Sequence, residues 1–460
     1  MPPAIDTGKI IKSHTTLKNE HMTSISSSSA SPASLHPRFQ WNTLFRGDLQ
    51  RSNFNACVGN NGAPDIYEYA DGFAESVVLL IEAIAQYRGT LDTLIYPICF
   101  NLRHSVELTI KALIGDLAQL AKVSKRPLTA EVNRVIGQHD IKNLWDYFVQ
   151  NAAVIDRRFS QETAPLDAHI KCIAETDPTG QTFRYSYDTL SVKHLTDVSL
   201  INVLVLQEQF QDIKEHFKKI RLLMDYLRHE YRTGTFTRHL SRADIVSIAE
   251  LLPARDQWGT ANFTAAKTLI STTYDLSGKE LSLAFTIIQK NRDTARMIGL
   301  PVTVPGLSVA DFIELNDIWK TAWDRNVLDK KLRDYIYASS LSGPELMSDE
   351  LNFLNSAQKD LGQAGQLFNQ WATPEKLAGI TALQHSGGDL FCEEHDHRFA
   401  CHLKEMNVAA NIGGAIWQAE IDGIWASSVS RPYYPAQTVE KLKRAGFTQE
   451  AATVADHLFA

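Results

Sequence analysis

The sequence predicts an all-α protein, built as a helical bundle followed by a second, mostly helical domain. Two apolar stripes and a shortage of strand-like segments support this fold class. The first stripe places apolar side chains at alternating steps of four and three residues, which only a helix brings onto one face: Ile95, Cys99, Leu102, Val106, Ile110 and Leu113. The second repeats the same alternation at Leu206, Phe210, Ile213, Phe217, Ile220, Met224 and Leu227. A seam this regular is typical of a helical bundle, either within one chain or across a dimer.

Helix-start signals support a helical second half. Ser277 and Glu280 form a capping-box pattern that begins a segment with an apolar stripe, predicted to run to Gly299. Ser241 begins a similar pattern with aspartate in place of glutamate. Thr373-Pro374-Glu375 supplies an N-cap, a first-turn proline and an acid near the positive end of a helix dipole.

Composition and charge limit the class of protein. The chain has 460 residues, of which 44% are hydrophobic and 22% charged, as in a globular protein. Its net charge of -7 gives no overall attraction to nucleic acid, so a basic groove would have to be local. Five scattered cysteines without a CxxC pair favour a reducing environment, and we expect a cytoplasmic protein. The most hydrophobic segment, 77–85, is too short to cross a membrane.

The pattern divides the chain into four parts. Residues 1–38 are polar and Ser-rich and are expected to form a flexible tail. The bundle is predicted over 39–228, a basic linker over 229–260, and the mostly α-helical C-terminal domain over 261–460.

Four consecutive motifs in the first half resemble those of HEPN domains, the nucleotide-binding helical bundles of higher eukaryotes and prokaryotes. The first motif, RHSVELTIKALI, spans 103–114 and the second, HDIKNLW, spans 139–145. The third, FRYS, spans 183–186 and has serine where the family usually has proline. The long helix predicted at 200–227 follows. In order and spacing the motifs fit the family over roughly residues 70–228.

The resemblance implies an up-and-down bundle of four or five helices that is frequently a homodimer. Many members of the family are metal-independent ribonucleases of stress responses and phage defence, whereas others bind nucleotides or partners without cleaving anything. The ribonucleases share an Arg-x(4–6)-His motif, in which the histidine acts as acid or base and the arginine stabilises the phosphorane. RNA or a nucleotide is therefore the expected ligand, and no cofactor is predicted.

The chain departs from the ribonuclease motif at the usual position. Arg184 is followed by no histidine until His194, ten residues later. An Arg-x(6)-His match occurs instead just after the long helix, and Arg232 with His239 is the predicted catalytic pair. The alternative is a solvated basic stretch, able to contact phosphate or an acidic partner without catalysis; it contains Arg228, His229, Arg232, Arg238, His239 and Arg242.

The HEPN-like motifs supply further candidate binding residues: Arg103, Glu107, Lys111, His139 and Arg184, together with Arg228, His229 and Arg238 of the basic stretch. Each also has a structural interpretation. His139-Asp140 is a typical helix start, and Glu107 with Lys111 is a typical ion pair within a bundle. A buried charged pair would need partners to offset its desolvation.

Residues 392–402 hold several potential metal ligands, including His395, His397 and His402, but their spacing matches no zinc signature. No metal site is predicted. The chain also has no Walker-type loop, no GxGxxG after a strand and no GxSxG elbow. Three hypotheses remain. The first is a protein that binds or cleaves RNA or nucleotides, and the second is a non-catalytic scaffold that dimerises through the seam at 206–227 or binds nucleotides only. The third is a metal-dependent activity at 392–402.

Overall fold

The computed structural model describes residues 43–188, 190–328, 355–386 and 389–459. Within these ranges the secondary structure is helical, with isolated β-bridges and no strand, so the predicted all-α class is confirmed. The predicted tail at 1–38 lies outside the described residues. None of the described helices combines the length and the hydrophobicity that crossing a bilayer requires.

The chain forms two compact units, of which the first ends at Arg232 and the second begins at Thr233. The helices of the first unit are α1 Ile66–Ala85, α2 Leu91–Ser124, α3 Val132–Ile136, α4 Ile141–Ile155, α5 Arg158–Thr176 and α6 Val203–Arg232. The long helix α2 packs against α1, α4 and α6, and α5 packs against α4 and α6. The first unit is therefore a bundle arranged around α2.

Both predicted stripes are buried inside this bundle except at their first residues, Ile95 and Leu206, which are partly buried. Cys99, Leu102, Val106, Ile110 and Leu113 of α2 are buried, as are the residues of α6 from Phe210 to Leu227 that form the seam. Each large apolar side chain that is fully buried contributes about 1.5–3 kcal/mol to stability. The seam therefore lies within one chain, and the prediction that a dimer forms through it is wrong because its side chains already pack inside the unit.

The second unit contains eleven described α-helices: α7 Arg242–Leu251, α8 Ala261–Thr273, α9 Gly278–Lys290, α10 Arg292–Met297, α11 Val309–Ala322, α12 Leu361–Trp371, α13 Pro374–Gln384, α14 Cys392–Ile412, α15 Gly414–Ile424, α16 Tyr434–Arg444 and α17 Thr448–Phe459. A π-helix, Trp425–Val429, joins α15 to the turn before α16. Residues of α7–α9, together with Ile298 after α10, form one hydrophobic core, and residues of α11–α17 form another.

The predicted helix starts are present. Ser241 and Ser277 each form a complete capping box, and the Thr373 side chain caps α13. The helix predicted from Ser277 to Gly299 is interrupted at Asn291, which has an extended backbone. Its side chain accepts hydrogen bonds from the backbone N–H groups of Asp293 and Thr294. Asparagine competes in this way with a continuous helix, and here it begins α10.

The segment 229–260, expected to be a basic linker, is helical in part. Helix α6 continues to Arg232, and α7 follows after a short loop. Ile245 and Ile248 of α7 are fully buried in the core of the second unit. The apolar residues of α7 pack into the core of the second unit although basic residues surround them. This part of the segment therefore belongs to the folded unit and is not a linker.

Candidate functional site

Helix α2 places three of the predicted binding residues on one face of the first unit. Arg103, Glu107 and Lys111 follow one another at steps of four, which aligns them along a helix. The Glu107 side chain is 3% exposed. Its carboxylate accepts hydrogen bonds from the Arg103 guanidinium and lies 2.7 Å from Lys111 Nζ. The sequence-based interpretation of Glu107 and Lys111 as a pair within the bundle agrees with this geometry.

Arg103 also connects α2 to two distant segments of the first unit. Its Nε donates to the carbonyl of Asp177, and its Nη2 donates to the carbonyls of His139 and Pro178, at 3.1, 2.6 and 2.8 Å. The turn that follows α5 brings Pro178 close, and Gly180 in that turn has a φ of +80°. A Cβ atom at Gly180 would lie 3.2 Å from Arg103 Nη1, so the turn also needs glycine for space. These contacts place Arg103 in a structural role that its spacing along α2 did not reveal.

His139 reaches the same carboxylate from the start of α4. Asp140 caps that helix by accepting from the Asn143 N–H, which fixes the position of the preceding residue. His139 Nδ1 lies 2.9 Å from Glu107 Oε1, while 69% of the side chain is exposed. Because a carboxylate only accepts hydrogen bonds, Nδ1 carries the proton, and in the neutral ring Nε2 carries the lone pair.

A second imidazole, His104, lies beside this group and was not identified from the sequence. Its Nδ1 is 3.9 Å from Glu107 Oε2, and its ring stacks on Phe100 at 5.6 Å. The guanidinium of Arg184 lies over the Phe100 ring at 5.5 Å and over the Tyr185 ring at 5.6 Å. The i,i+3 spacing of His104 and Glu107 was the one sequence signal for this contact. Helical spacing alone does not show that His104 and His139 both lie beside the same carboxylate.

We call Arg103, His104, Glu107, Lys111 and His139 the Glu107 cluster. Burial raises the pKa of the Glu107 carboxyl, but His104, Lys111, Arg103 and His139 more than offset this effect and hold the pKa well below its usual range. The carboxylate is therefore ionised at neutral pH. It can orient the exposed His139 ring.

The lowered pKa of Glu107 predicts an acid-sensitive contribution to stability. A carboxyl whose pKa is lower in the folded state than in the unfolded state stabilises the fold at pH values above its ordinary pKa of 4.5. This contribution is lost as the pH falls below 4.5 towards the folded-state pKa. We expect Glu107→Gln to reduce the pH dependence of the free energy of unfolding below pH 4.5, measured by denaturant titration at several pH values. Glu75→Gln, at an exposed position of α1, is the matched control. An unchanged pH dependence in Glu107→Gln would contradict this assignment.

The predicted catalytic pair is divided between the two units. Arg232 is the exposed last residue of α6 in the first unit, whereas His239 lies in the loop before α7 in the second. His239 Nε2 is 2.9 Å from Glu280 Oε1, so the contact described for His239 is with a carboxylate of its own unit.

The basic stretch around them is largely paired with acids. In the first unit Arg228 lies 2.7 Å from Asp225 and 3.6 Å from Asp116, and the half-buried His229 lies beside it on α6. In the second unit Arg242 lies 2.9 Å from Glu393, and Arg238 is exposed. The predicted basic surface is therefore reduced, because acids distant in sequence neutralise much of its charge.

The segment 392–402 contributes two residues to a group of three whose ligand atoms lie close enough together to hold a metal ion. Ligand atoms of Asp293, Cys392 and Glu393 lie within 4.8 Å of one another. However, Arg242 pairs with both carboxylates, at 3.0 and 2.9 Å, and so occupies the position where a cation would bind. Burial, followed by the charge of Glu393, raises the pKa of the Cys392 thiol to about 12, which disfavours the thiolate that a metal requires. This group fits an internal ion pair better than a metal site.

The three histidines of the segment point to different partners. His395 is buried and lies 3.3 Å from Asp396, His397 lies 3.6 Å from the Cys401 sulfur, and His402 lies 3.0 Å from Glu405. Their placement gives no shared set of ligands.

Comparisons with protein-family models, with curated proteins and with solved structures find no match for this chain. The resemblance to HEPN domains therefore depends on the four sequence motifs alone. Residues from all three of the short motifs lie at or beside the Glu107 cluster: Arg103, Glu107 and Lys111 from the first, His139 from the second and Arg184 from the third.

Proposed function

We propose that the first unit is a HEPN-like bundle that binds RNA or a nucleotide at the Glu107 cluster and cleaves RNA without a metal ion. The observation that carries the proposal is the exposed imidazole of His139, held at 2.9 Å by a buried carboxylate. In an imidazole held in this way, one nitrogen is hydrogen-bonded to the protein and the other can accept or donate a proton in a reaction.

The residues around His139 support this chemistry. In the proposed reaction His139 Nε2 takes the proton of the ribose 2′-hydroxyl, and Glu107 stabilises the imidazolium that forms. The 2′-oxygen attacks the adjacent phosphorus, a 2′,3′-cyclic phosphate forms and the 5′-oxygen leaves, taking a proton from water. The His139 imidazolium then returns its proton to the solvent. Arg184, exposed beside Phe100 and Tyr185, supplies a guanidinium for the phosphate. Arg103 and Lys111 position Glu107.

The test is incubation of the full-length protein with labelled RNA in EDTA, with His139→Gln beside the wild type. We expect His139→Gln to lower the cleavage rate by about 100-fold or more, the usual loss when a general acid or base is removed. His169→Gln, at a partly buried histidine of α5, is the matched control. His239→Gln tests the pair predicted from sequence: loss of cleavage in this variant with full activity in His139→Gln would contradict the proposed site.

A non-catalytic role is the second candidate, favoured by the three backbone carbonyls that Arg103 binds. On this alternative the Glu107 cluster only joins α2 to the segments that contain His139 and Pro178. The wild type would then cleave no RNA, and nucleotide binding, measured by calorimetry, would be unaffected by His139→Gln.

We also propose that the protein acts in the cytoplasm, in a stress or phage-defence response. All five cysteines have free thiols, which supports a reducing compartment. A homodimer remains part of the proposal, but it would form through a surface other than the buried seam of α6.

A further inference from the structure

The second unit contains a small cavity between α13, the π-helix Trp425–Val429 and α16. Its volume is about 30 Å³. The polar residues in its wall include Gln384, Ser427, Ser428 and Lys441. A site of about 10–15 Å³ holds one water molecule, so this space fits a group of a few heavy atoms.

Lys441 brings a positive charge to the cavity without an acidic partner. It lies on α16 and forms no ion pair with any residue in the described ranges. The neighbouring Glu440 is paired with Arg444 on the exposed side of the same helix. Burial lowers the pKa of the Lys441 amine. An amine that is partly removed from water and has no counter-ion is stabilised by a bound anion.

Gln384 contributes a second unused donor. It is the last residue of α13, and its Nε2 atom is buried with no hydrogen-bond partner in the described part of the chain. Buried amide N–H groups are nearly always hydrogen-bonded, so an orphaned one in a cavity wall indicates a bound molecule.

The third wall is formed by an uncommon helix type. The wide turn of the π-helix carries Ser427 and Ser428, whose hydroxyls donate to the Ile424 carbonyl at 3.4 and 2.7 Å. Single π-helical turns occur frequently at functional sites. Both hydroxyls donate to this carbonyl, so the candidate donors for a ligand are taken from Lys441 and Gln384.

We propose that this cavity binds the carboxylate or phosphate group of a small anion, with Lys441 Nζ and Gln384 Nε2 as hydrogen-bond donors. Two donors in one cavity wall, one of them charged, match the acceptor-only oxygens of such a group. The cavity volume admits the oxyanion group itself, and the remainder of a larger ligand would extend outside.

The test is calorimetric titration of the full-length protein with sodium phosphate and with sodium acetate, at ionic strength held constant with sodium chloride. We expect at least one of the two anions to bind saturably. Lys441→Met should weaken binding by about tenfold or more, as expected for the loss of a charge-assisted hydrogen bond. Lys443→Met, at an exposed position of the same helix, should bind as the wild type does.

Two further results decide the proposal. Gln384→Leu should also weaken binding, which gives a second variant should Lys441→Met fold poorly. In the absence of anion, Lys441→Met should have a Tm close to that of the wild type, because the substitution breaks no ion pair. Saturable binding that neither variant weakens would overturn the proposal, as would the absence of saturable binding of both anions to the wild type.

Discussion

Arg103→Met is expected to lower the free energy of unfolding by about 3–5 kcal/mol, as is typical when one partner of a buried ion pair is removed. The Arg103 side chain is 3% exposed and pairs with Glu107. It also donates to three carbonyls, those of His139, Asp177 and Pro178. Methionine keeps much of the apolar volume but leaves these acceptors without a donor, so the start of α4 and the turn after α5 lose their link to α2.

Urea denaturation at neutral pH measures this effect. Arg103→Lys should recover part of the loss, because lysine keeps the charge but cannot donate in several fixed directions at once. Lys142→Met is the matched control, because Lys142 pairs with Asp146 at the protein surface. Exposed ion pairs of this kind contribute about 0–1 kcal/mol. A similar small loss for Arg103→Met would show that Arg103 does not hold the three segments together.

The second large effect is expected at Arg158, at the start of α5. Arg158 Nη2 lies 2.8 Å from Asp156 and 2.6 Å from Glu230, and both carboxylates are 2% exposed. Burial raises the pKa of Asp156, but Arg158 more than offsets this and holds the pKa below its usual range. Arg158→Met would leave two buried carboxylates without their cation. We expect a loss of about 3–5 kcal/mol at neutral pH.

The pH dependence of Arg158→Met distinguishes lost charge pairing from lost packing. Without Arg158, burial should raise the pKa of the Asp156 carboxyl, so this group binds a proton more readily in the folded than in the unfolded state. The stability deficit of the variant should therefore shrink as the pH falls from 7 towards about 5. Adding Glu230→Gln should restore part of the stability at neutral pH. Lys171→Met, at an exposed pair with Asp167, should show neither effect. A deficit independent of pH would contradict the charge argument.

Part of the candidate site follows from the sequence. Arg103, Glu107 and Lys111 share a face because they lie four residues apart on a helix, and Asp140 caps α4 as its position before an apolar segment predicts. The contact of His139 with Glu107 joins residues 32 positions apart. No local pattern encodes such a distance, since it depends on how α4 packs against α2.

The ion pairs of the basic stretch are a second case in which the sequence does not show contacts between residues that are distant along the chain. Arg228, His239 and Arg242 look like a continuous basic surface in the sequence. Besides the nearby Asp225, however, their partners are Asp116, Glu280 and Glu393, which are distant along the chain. Charge counted along a segment omits acids that folding brings beside it. The predicted catalytic pair came from an Arg-x(6)-His match, which is also a local pattern.

The sequence by itself determined the all-α class, the two apolar faces of α2 and α6, and the starts of α7, α9 and α13. These features depend on the helical period and on hydrogen bonds between residues three or four apart. Only the tertiary structure decided that the α6 seam is filled within one chain, and that Arg103 spans three segments. It also decided that His104 and His139 share one carboxylate. Each of these depends on packing between distant helices, because burial and ion pairing are properties of neighbours in space.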